Sequence, residues 1–316
     1  MLPFQQPSAQ TPPHPTVVKS RLAAALLLLG CLGFGTPASA QTQTGAAPPP
    51  SEAYSDVLRK PGDDAALRAF LDRLPKIEVA DDDGGTREYY LVEGDVVATA
   101  AEVEAHLKEL RKRVEVNTPA PPSGELLVIT DSHGQPLFWE RGKRHLTYAV
   151  KKASFQDQIR YDDVVKRMKL AGEEWVRVCS GCDLRIEHKS EFDDQPSLSK
   201  VTFIVQYEKE QNSFIAAAFF PKQDRFRNFL VIGPQFFSTS FDRTGVLRHE
   251  IGHILGYRHM HIVGIPGCST EDANWKAITD VYDKKSVMHY YCGGGGTRDL
   301  ALSEQDKIDH NKLYGK

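Results

Sequence analysis

The stretch Arg248-His249-Glu250-Ile251-Gly252-His253-Ile254-Leu255-Gly256-Tyr257-Arg258-His259 constrains this chain more than any other. Successive helical residues turn by about 100°, so His249 and His253 fall within about 40° of each other and can share one ion. Leu247, Ile251, Ile254 and Leu255 fall on the opposite side, which predicts an anchored helix whose histidine face looks outward. Glu250 stands one step off the ligand line and suits a general base acting on a water at the metal. Gly256 can end the helix with a positive φ, and that turn lets His259 swing back as a third ligand. Three imidazoles leave a fourth position open, as a catalytic zinc (Zn2+) site requires. His261 would replace His259 only if the turn were longer.

Chance does not explain the pattern. At this chain's own His, Glu and Gly frequencies, HExxH alone arises in about one chain in forty of this size, and HExxHxxGxxH in about one in sixteen thousand. A merely solvated helix face would carry Lys and Glu in place of two histidines and two glycines.

With Ser286-Val287-Met288-His289-Tyr290 downstream, the chain resembles the metzincin zinc endopeptidases, whose long motif is followed by a methionine-containing turn. The turn looks like that of the astacin and serralysin branches, and the HEIGH string is similar to the bacterial dual-action HEIGH metallopeptidases. The resemblance covers about His145 to Lys316. It implies that Met288 underlies the site and that Tyr290 is a switchable ligand or oxyanion stabiliser. Val92-Glu93-Gly94-Asp95 resembles the segment by which astacin precursors stay latent through an aspartate on the metal; a plain turn is the competing reading.

Lys19 and Arg21 precede an apolar run from Leu22 to Phe34 and then Ala38-Ser39-Ala40, a secretory signal expected to be cut after Ala40. The run is too short to span a bilayer. A lipoprotein box at Leu28 to Cys31 is the rival reading, weakened because the apolar run continues past Cys31. Cleavage would leave Cys179, Cys182, Cys268 and Cys292, an even number that favours disulfides in an exported chain. Of three connectivities, the expected one joins Cys179 to Cys182 and Cys268 to Cys292. The net charge of −3 over 316 residues gives no reason to expect a nucleic acid or an anionic membrane as partner.

Three segments are expected: 1–40 as signal, 41–140 as leader and propeptide-like region, and 141–316 as catalytic domain. In the second, 41–51 is too polar and proline-rich to form a core. Ala65 to Leu74 reads as a helix, Arg87 to Val92 as a strand, and Thr99 with Glu102 as a capping box before a helix reaching about Val114. Pro119 to Gly124 breaks the chain, and Glu125–Thr130 with Pro136–Glu140 look like a hairpin. Processing is expected near Arg141, Lys143 and Arg144.

Beyond His145 the pattern is α+β: a strand at Leu146–Val150, a long amphipathic helix through Val164, Met168, Ala171, Trp175 and Val178, and strands at 183–187, 201–206, 214–220 and 229–232. Thr244 is the expected cap of the histidine helix, and Ser303 with Asp306 starts a last helix. The resemblance implies a metzincin-like zincin fold: a twisted mixed sheet with an antiparallel edge strand, a backing helix, an active-site helix and a small irregular C-terminal part ending in a helix. Ala216 to Pro221 resembles the edge strand that would offer backbone groups to an extended peptide.

The function expected is a secreted or periplasmic, monomeric zinc endopeptidase acting on polypeptides, with Glu250 and Tyr290 catalytic and His249, His253 and His259 on the metal. The alternatives are a zinc-stabilised peptide-binding module and a zinc hydrolase of cell-wall peptide amides.

Overall fold

Alternation along three strands organises the molecule. A computed structural model of the chain describes residues 64–80, 85–92, 94–105, 107, 126–131, 133–209, 214–221, 227–263, 265, 268, 275–279 and 281–315. The expected signal, the leader, the break at Pro119 to Gly124 and the end of the helix after Thr99 lie outside them.

In chain order the elements are α1 (Asp64–Leu71), β1 (Lys76–Ala80), β2 (Thr86–Val92), β3 (Val96–Ala98), β4 (Leu127–Ile129), β5 (His145–Val150), α2 (Gln158–Val178), β6 (Arg185–His188), β7 (Phe203–Tyr207), β8 (Ala216–Ala217), β9 (Phe229–Ile232), α3 (Arg243–Ile254), β10 (Tyr257–Arg258), β11 (Trp275–Ala277) and α4 (Glu304–Tyr314). The main sheet runs β6-β5-β7-β9-β8. Its pairs are parallel except for β8, which lies antiparallel on β9 with Ala216 opposite Ile232.

Leu146, Tyr148 and Val150 of β5 point to one side of this sheet together with Phe203, Val205, Leu230 and Ile232. There they meet Val164, Met168 and Trp175 of α2 and Leu247 and Ile251 of α3. Ala149, Ile204, Phe229 and Val231, one residue out of step, point to the other side. That second face is covered by Ile77, Val79, Tyr89, Leu91 and Val97 of the three-stranded β1-β2-β3 sheet. Each such side chain contributes about 1.5–3 kcal/mol on burial. The period of two in strands thus lets one sheet carry two cores.

The Thr99 box forms: Glu102 accepts from Thr99 N at 2.8 Å, and Thr99 Oγ1 accepts from Glu102 N at 3.3 Å. Glu102 also pairs with the buried guanidinium of Arg227, tying this turn to the chain just before β9. The expected hairpin survives only as a turn, with Asp131 N on Gln135 O and one bridge from Thr130 to Pro136. Pro136 has no N–H to extend the ladder, and fully buried β4 pairs instead with β10 and β11 on its two edges. Of the basic residues expected at a processing site, Arg141 and Lys143 are exposed. Arg144 is buried, with its guanidinium donating to the carbonyls of Trp139, Cys182 and Tyr314.

Disulfides join Cys179 to Cys182 at the end of α2 and Cys268 to Cys292 across the C-terminal part. The last helix has the expected Ser303–Asp306 box. Among the described residues no helix is long and apolar enough to cross a membrane.

Candidate metal centre

Helix α3 begins two residues earlier than the sequence suggests. Its cap is Asp242, whose side chain accepts from Gly245 N at 2.7 Å, whereas Thr244 lies within the first turn and accepts from Arg167. A carboxylate at the cap also suits the positive end of the helix dipole. Every residue from Thr244 to Ile254 is buried, so the expected outward-facing histidine side is itself covered. The cover comes from Asp95 and the Met288 turn, segments distant in sequence. A Cβ at Gly252 would run into Met288 Sδ, so the turn packs directly on the helix backbone. Gly256, at φ +102°, reverses the chain after the helix as expected.

The reversal brings His259 back. His259 Nε2 lies 3.3 Å from His249 Nε2 and 3.2 Å from His253 Nε2. Asp95 joins them, with Oδ2 3.2 Å from His249 Nε2 and 3.1 Å from His259 Nε2, and Oδ1 3.5 Å from His253 Nε2. Ligand distances of about 2.0–2.1 Å around a tetrahedral ion put its ligand atoms about 3.3–3.4 Å apart. These five separations, from 3.1 to 3.5 Å, are close to the edges that such an ion needs.

Two histidines are fixed from behind. His249 Nδ1 donates to Val287 O at 2.7 Å, and His253 Nδ1 donates to Tyr257 O at 2.8 Å. A carbonyl can only accept, so in the neutral rings the Nε2 atoms carry lone pairs, aimed at one point shared with a carboxylate. Burial lowers the His253 pKa to about 4, so that ring is neutral at pH 7. Two ring lone pairs and a carboxylate facing one another repel unless a cation lies between them, and with His259 Nε2 beside them the residues fit a transition-metal ion. Among the described residues these four are grouped as a possible metal site.

Burial works against the charge on Asp95, but the imidazoles of His259, His253 and His249 that face it hold its carboxyl well below the usual range. Glu250 moves the other way: burial, then the Asp95 charge, push it well above the ordinary carboxylate value. Asp95 Oδ1 and Glu250 Oε2 are buried without hydrogen-bond partners among the described residues. Asp95, His249, Glu250 and Tyr290 line one pocket. Tyr290 reaches it from the Met288 turn, its ring 4.2 Å from that of His259 and its hydroxyl on Asp95 Oδ2.

The backbone of Asp95 also engages the sheet edge. Ala218 N donates to Asp95 O at 2.8 Å and Val97 N donates to Ala218 O at 3.0 Å, beside a parallel bridge from Val96 to Ala218. The edge expected to receive a peptide is thus engaged at Ala218 by the chain's own N-terminal region. Glu93 of the four-residue segment lies outside the described residues.

His261 stays out of the ligand group and stacks on Tyr290 at 4.6 Å, and His289 bonds Tyr282 and the Tyr290 carbonyl. One contributor is not apparent in the sequence. Asp306, recognisable only as half of a capping box, also accepts from Ser286 Oγ at 2.6 Å and Val287 N at 2.8 Å. It thereby holds the carbonyl that orients His249.

No known family profile matches the chain, and no curated protein matches it. Among solved structures, one of myroilysin is 16% identical with a TM-score of 0.41, covering 60% of this chain and 98% of that one. A second of myroilysin is 15% identical with a TM-score of 0.36, covering 54% and 83%. A chaperone-substrate complex is 14% identical with a TM-score of 0.26, covering 54% and 36%. Likenesses this distant carry no weight about activity. The residues themselves define a buried cluster of three histidines and one carboxylate, suited to a metal ion and set in an α+β framework.

Proposed function

We propose that this chain is an exported zinc-dependent endopeptidase of metzincin type, made as a precursor in which Asp95 closes the site. The observation that carries the reading is the convergence of the His249, His253 and His259 Nε2 atoms on one point beside Glu250. Three histidines on a four-coordinate ion are the donor set of a hydrolytic zinc centre. A zinc ion held there supplies a Lewis acid that polarises a peptide carbonyl and acidifies water.

The chain's own residues do the rest. In the precursor Asp95 would help the three histidines hold such an ion; its carboxylate accepts from the Tyr290 hydroxyl, and the backbone of Asp95 and Val97 takes the sheet edge at Ala218. Withdrawal of this segment frees the Tyr290 hydroxyl and the sheet edge. Glu250 Oε2, buried and without a hydrogen-bond partner among the described residues, then takes the proton of the attacking water and delivers it to the leaving nitrogen. Its raised proton affinity suits that exchange, and loss of the Asp95 charge removes one of the two causes of the rise. Tyr290 Oη turns its donor to the developing oxyanion, and the freed edge at Ala218 aligns the peptide.

Elemental analysis should find one zinc per chain. Casein cleavage by the processed protein should disappear with a chelator, and E250Q should retain the zinc while losing activity by orders of magnitude. A metal-free pure protein, or cleavage untouched by E250Q, would end this reading.

A further inference from the structure

A second group of ligand-bearing side chains lies next to the first. His261, His289 and Cys292 each bring one donor atom within 4.8 Å of the other two. Both imidazoles are fully buried and Cys292 is half-buried. The peptide chemistry above uses none of the three.

Local structure brings them together. His261 sits in the short turn Met260–Val263 that follows His259, and Met260 N donates to Met288 O at 2.9 Å, seating that turn on the methionine-containing one. After Tyr290 the chain doubles back: Cys292 N donates to Tyr290 O at 2.8 Å, and Gly295 N to Cys292 O at 2.8 Å. A Cβ at Gly295 would lie 2.5 Å from His289 Cε1, so glycine is what lets this segment close over the ring. The rings of His261 and His289 are 5.6 Å apart.

His289 is set as a ligand would be. Its Nδ1 donates to the Tyr290 carbonyl at 2.6 Å, which leaves a lone pair on Nε2, where Tyr282 Oη donates at 2.6 Å. Tyr282 is half-buried, so its hydroxyl can turn to water instead. Tyr290 N donates to His261 Nδ1 across a long 3.4 Å, a weak hold on that ring's lone pair. Cys292 is bonded to Cys268. A metal takes the thiolate, so this third donor exists only once the bond is opened.

We propose that reduction of Cys268–Cys292 creates a second metal site, in which His261, His289 and the Cys292 thiolate hold a zinc-class divalent cation. A dithiol supplies the two electrons and two protons that split the S–S bond and closes to its own disulfide; Cys292 yields its proton to water as the cation binds. Bonds of about 2.0–2.1 Å to nitrogen and about 2.3 Å to sulfur would set the donors about 3.3–3.6 Å apart. The group must therefore close by about 1 Å, a freedom the released cysteine side chain has. The site shares no ligand with the first and does not depend on the peptidase reading.

The test uses the full chain, stripped of metal by a chelator and titrated with Co2+, whose bond to a thiolate gives a near-ultraviolet charge-transfer absorption. C268S, kept free of reductant so that Cys179–Cys182 stays closed, should show that absorption and bind one more Co2+ than C268S/C292S. C268S/H261A and C268S/H289A should bind this ion at least about 10–100-fold more weakly, the scale of losing one outer partner of a metal site. Untreated wild type should lack the absorption. Wild type reduced by a dithiol, then freed of it anaerobically, should gain it over C268S/C292S treated alike, a control that subtracts Cys179 and Cys182. This arm decides the matter if C268S does not fold. No added cobalt in reduced wild type overturns the proposal, as does the absorption in untreated wild type. Cobalt held as tightly without either histidine overturns it too, leaving Cys292 an adventitious ligand. Because the readout is a difference of one ion, it is the same whether or not the first site loads.

Discussion

The Tyr290 hydroxyl donates to Asp95 Oδ2 at 2.6 Å, joining residues 195 positions apart at the mouth of the histidine cluster. A hydrogen bond to an ionised, buried carboxylate contributes about 1.5–3 kcal/mol. In the unprocessed chain D95A should therefore raise peptide cleavage at least tenfold, measured with a fluorogenic peptide while mass spectrometry verifies that the chain is intact. Y290F should make the precursor leakier yet slow the processed enzyme, because the same hydroxyl serves both states. An intact D95A chain as inert as wild type would remove Asp95 from the regulatory role.

Asp306 should behave as a positioning residue for His249. D306A leaves Ser286 Oγ and Val287 N, both buried, without their acceptor and should cost about 2–5 kcal/mol of stability by denaturant titration. Its zinc affinity should fall as well, since the Val287 carbonyl behind His249 is no longer fixed. D306N, which keeps an acceptor oxygen, should recover part of both.

Reduction of Cys268–Cys292 frees a loop spanning a separation of 24 residues. Chain entropy gives such a link about 3 kcal/mol. C268S/C292S should lower Tm by several degrees, and the change should be absent when wild type and variant are compared under reducing conditions.

Acid should act partly through His310. Burial, and then Arg144, lower its pKa to about 3 from the ordinary 6.5. Its Nδ1 accepts from Tyr257 Oη at 2.8 Å, so the neutral ring is the one that fits. A depressed folded value means the unfolded chain binds the proton more readily. The contribution is complete above pH 6.5 and is lost as pH falls toward 3, by about 1.4 kcal/mol per unit. H310Q should show a shallower acid limb than wild type in denaturant titrations between pH 4 and 6. Parallel limbs would refute this assignment.

How much was legible follows from the range over which residues speak to one another. The histidine spacing, the Gly256 reversal and the Ser303 box depend on neighbours within one or two helical turns, and the structure shows each where the sequence places it. The long helix was equally plain, because Val164 to Trp175 keep a 3.6-residue period. β10 and β11 were not, since strands of two or three residues carry no period and exist only through β4, more than a hundred residues upstream. The burial of α3 on all sides was hidden for the same reason: Asp95 and Met288 close its open face from afar. Asp242 was passed over because Thr244 has the same capping chemistry and only the geometry distinguishes them. Nothing local marks Leu300 as left-handed, at φ +44°, since Asp299 and Arg298 give no turn signal of the glycine kind.

The double-sided sheet bears on what maturation can leave behind. Ala149, Ile204, Phe229 and Val231 look away from the metal, and the strands 76–80, 86–92 and 96–98 supply their shelter. Discarding those strands would bare a greasy plank on the reverse of the main sheet, so a cut in the chain would not by itself release them cheaply. On the precursor reading, a severed fragment should keep strands 76–80 and 86–92 seated as a permanent back wall, with the stretch from Gly94 to Val97 the part that must swing away.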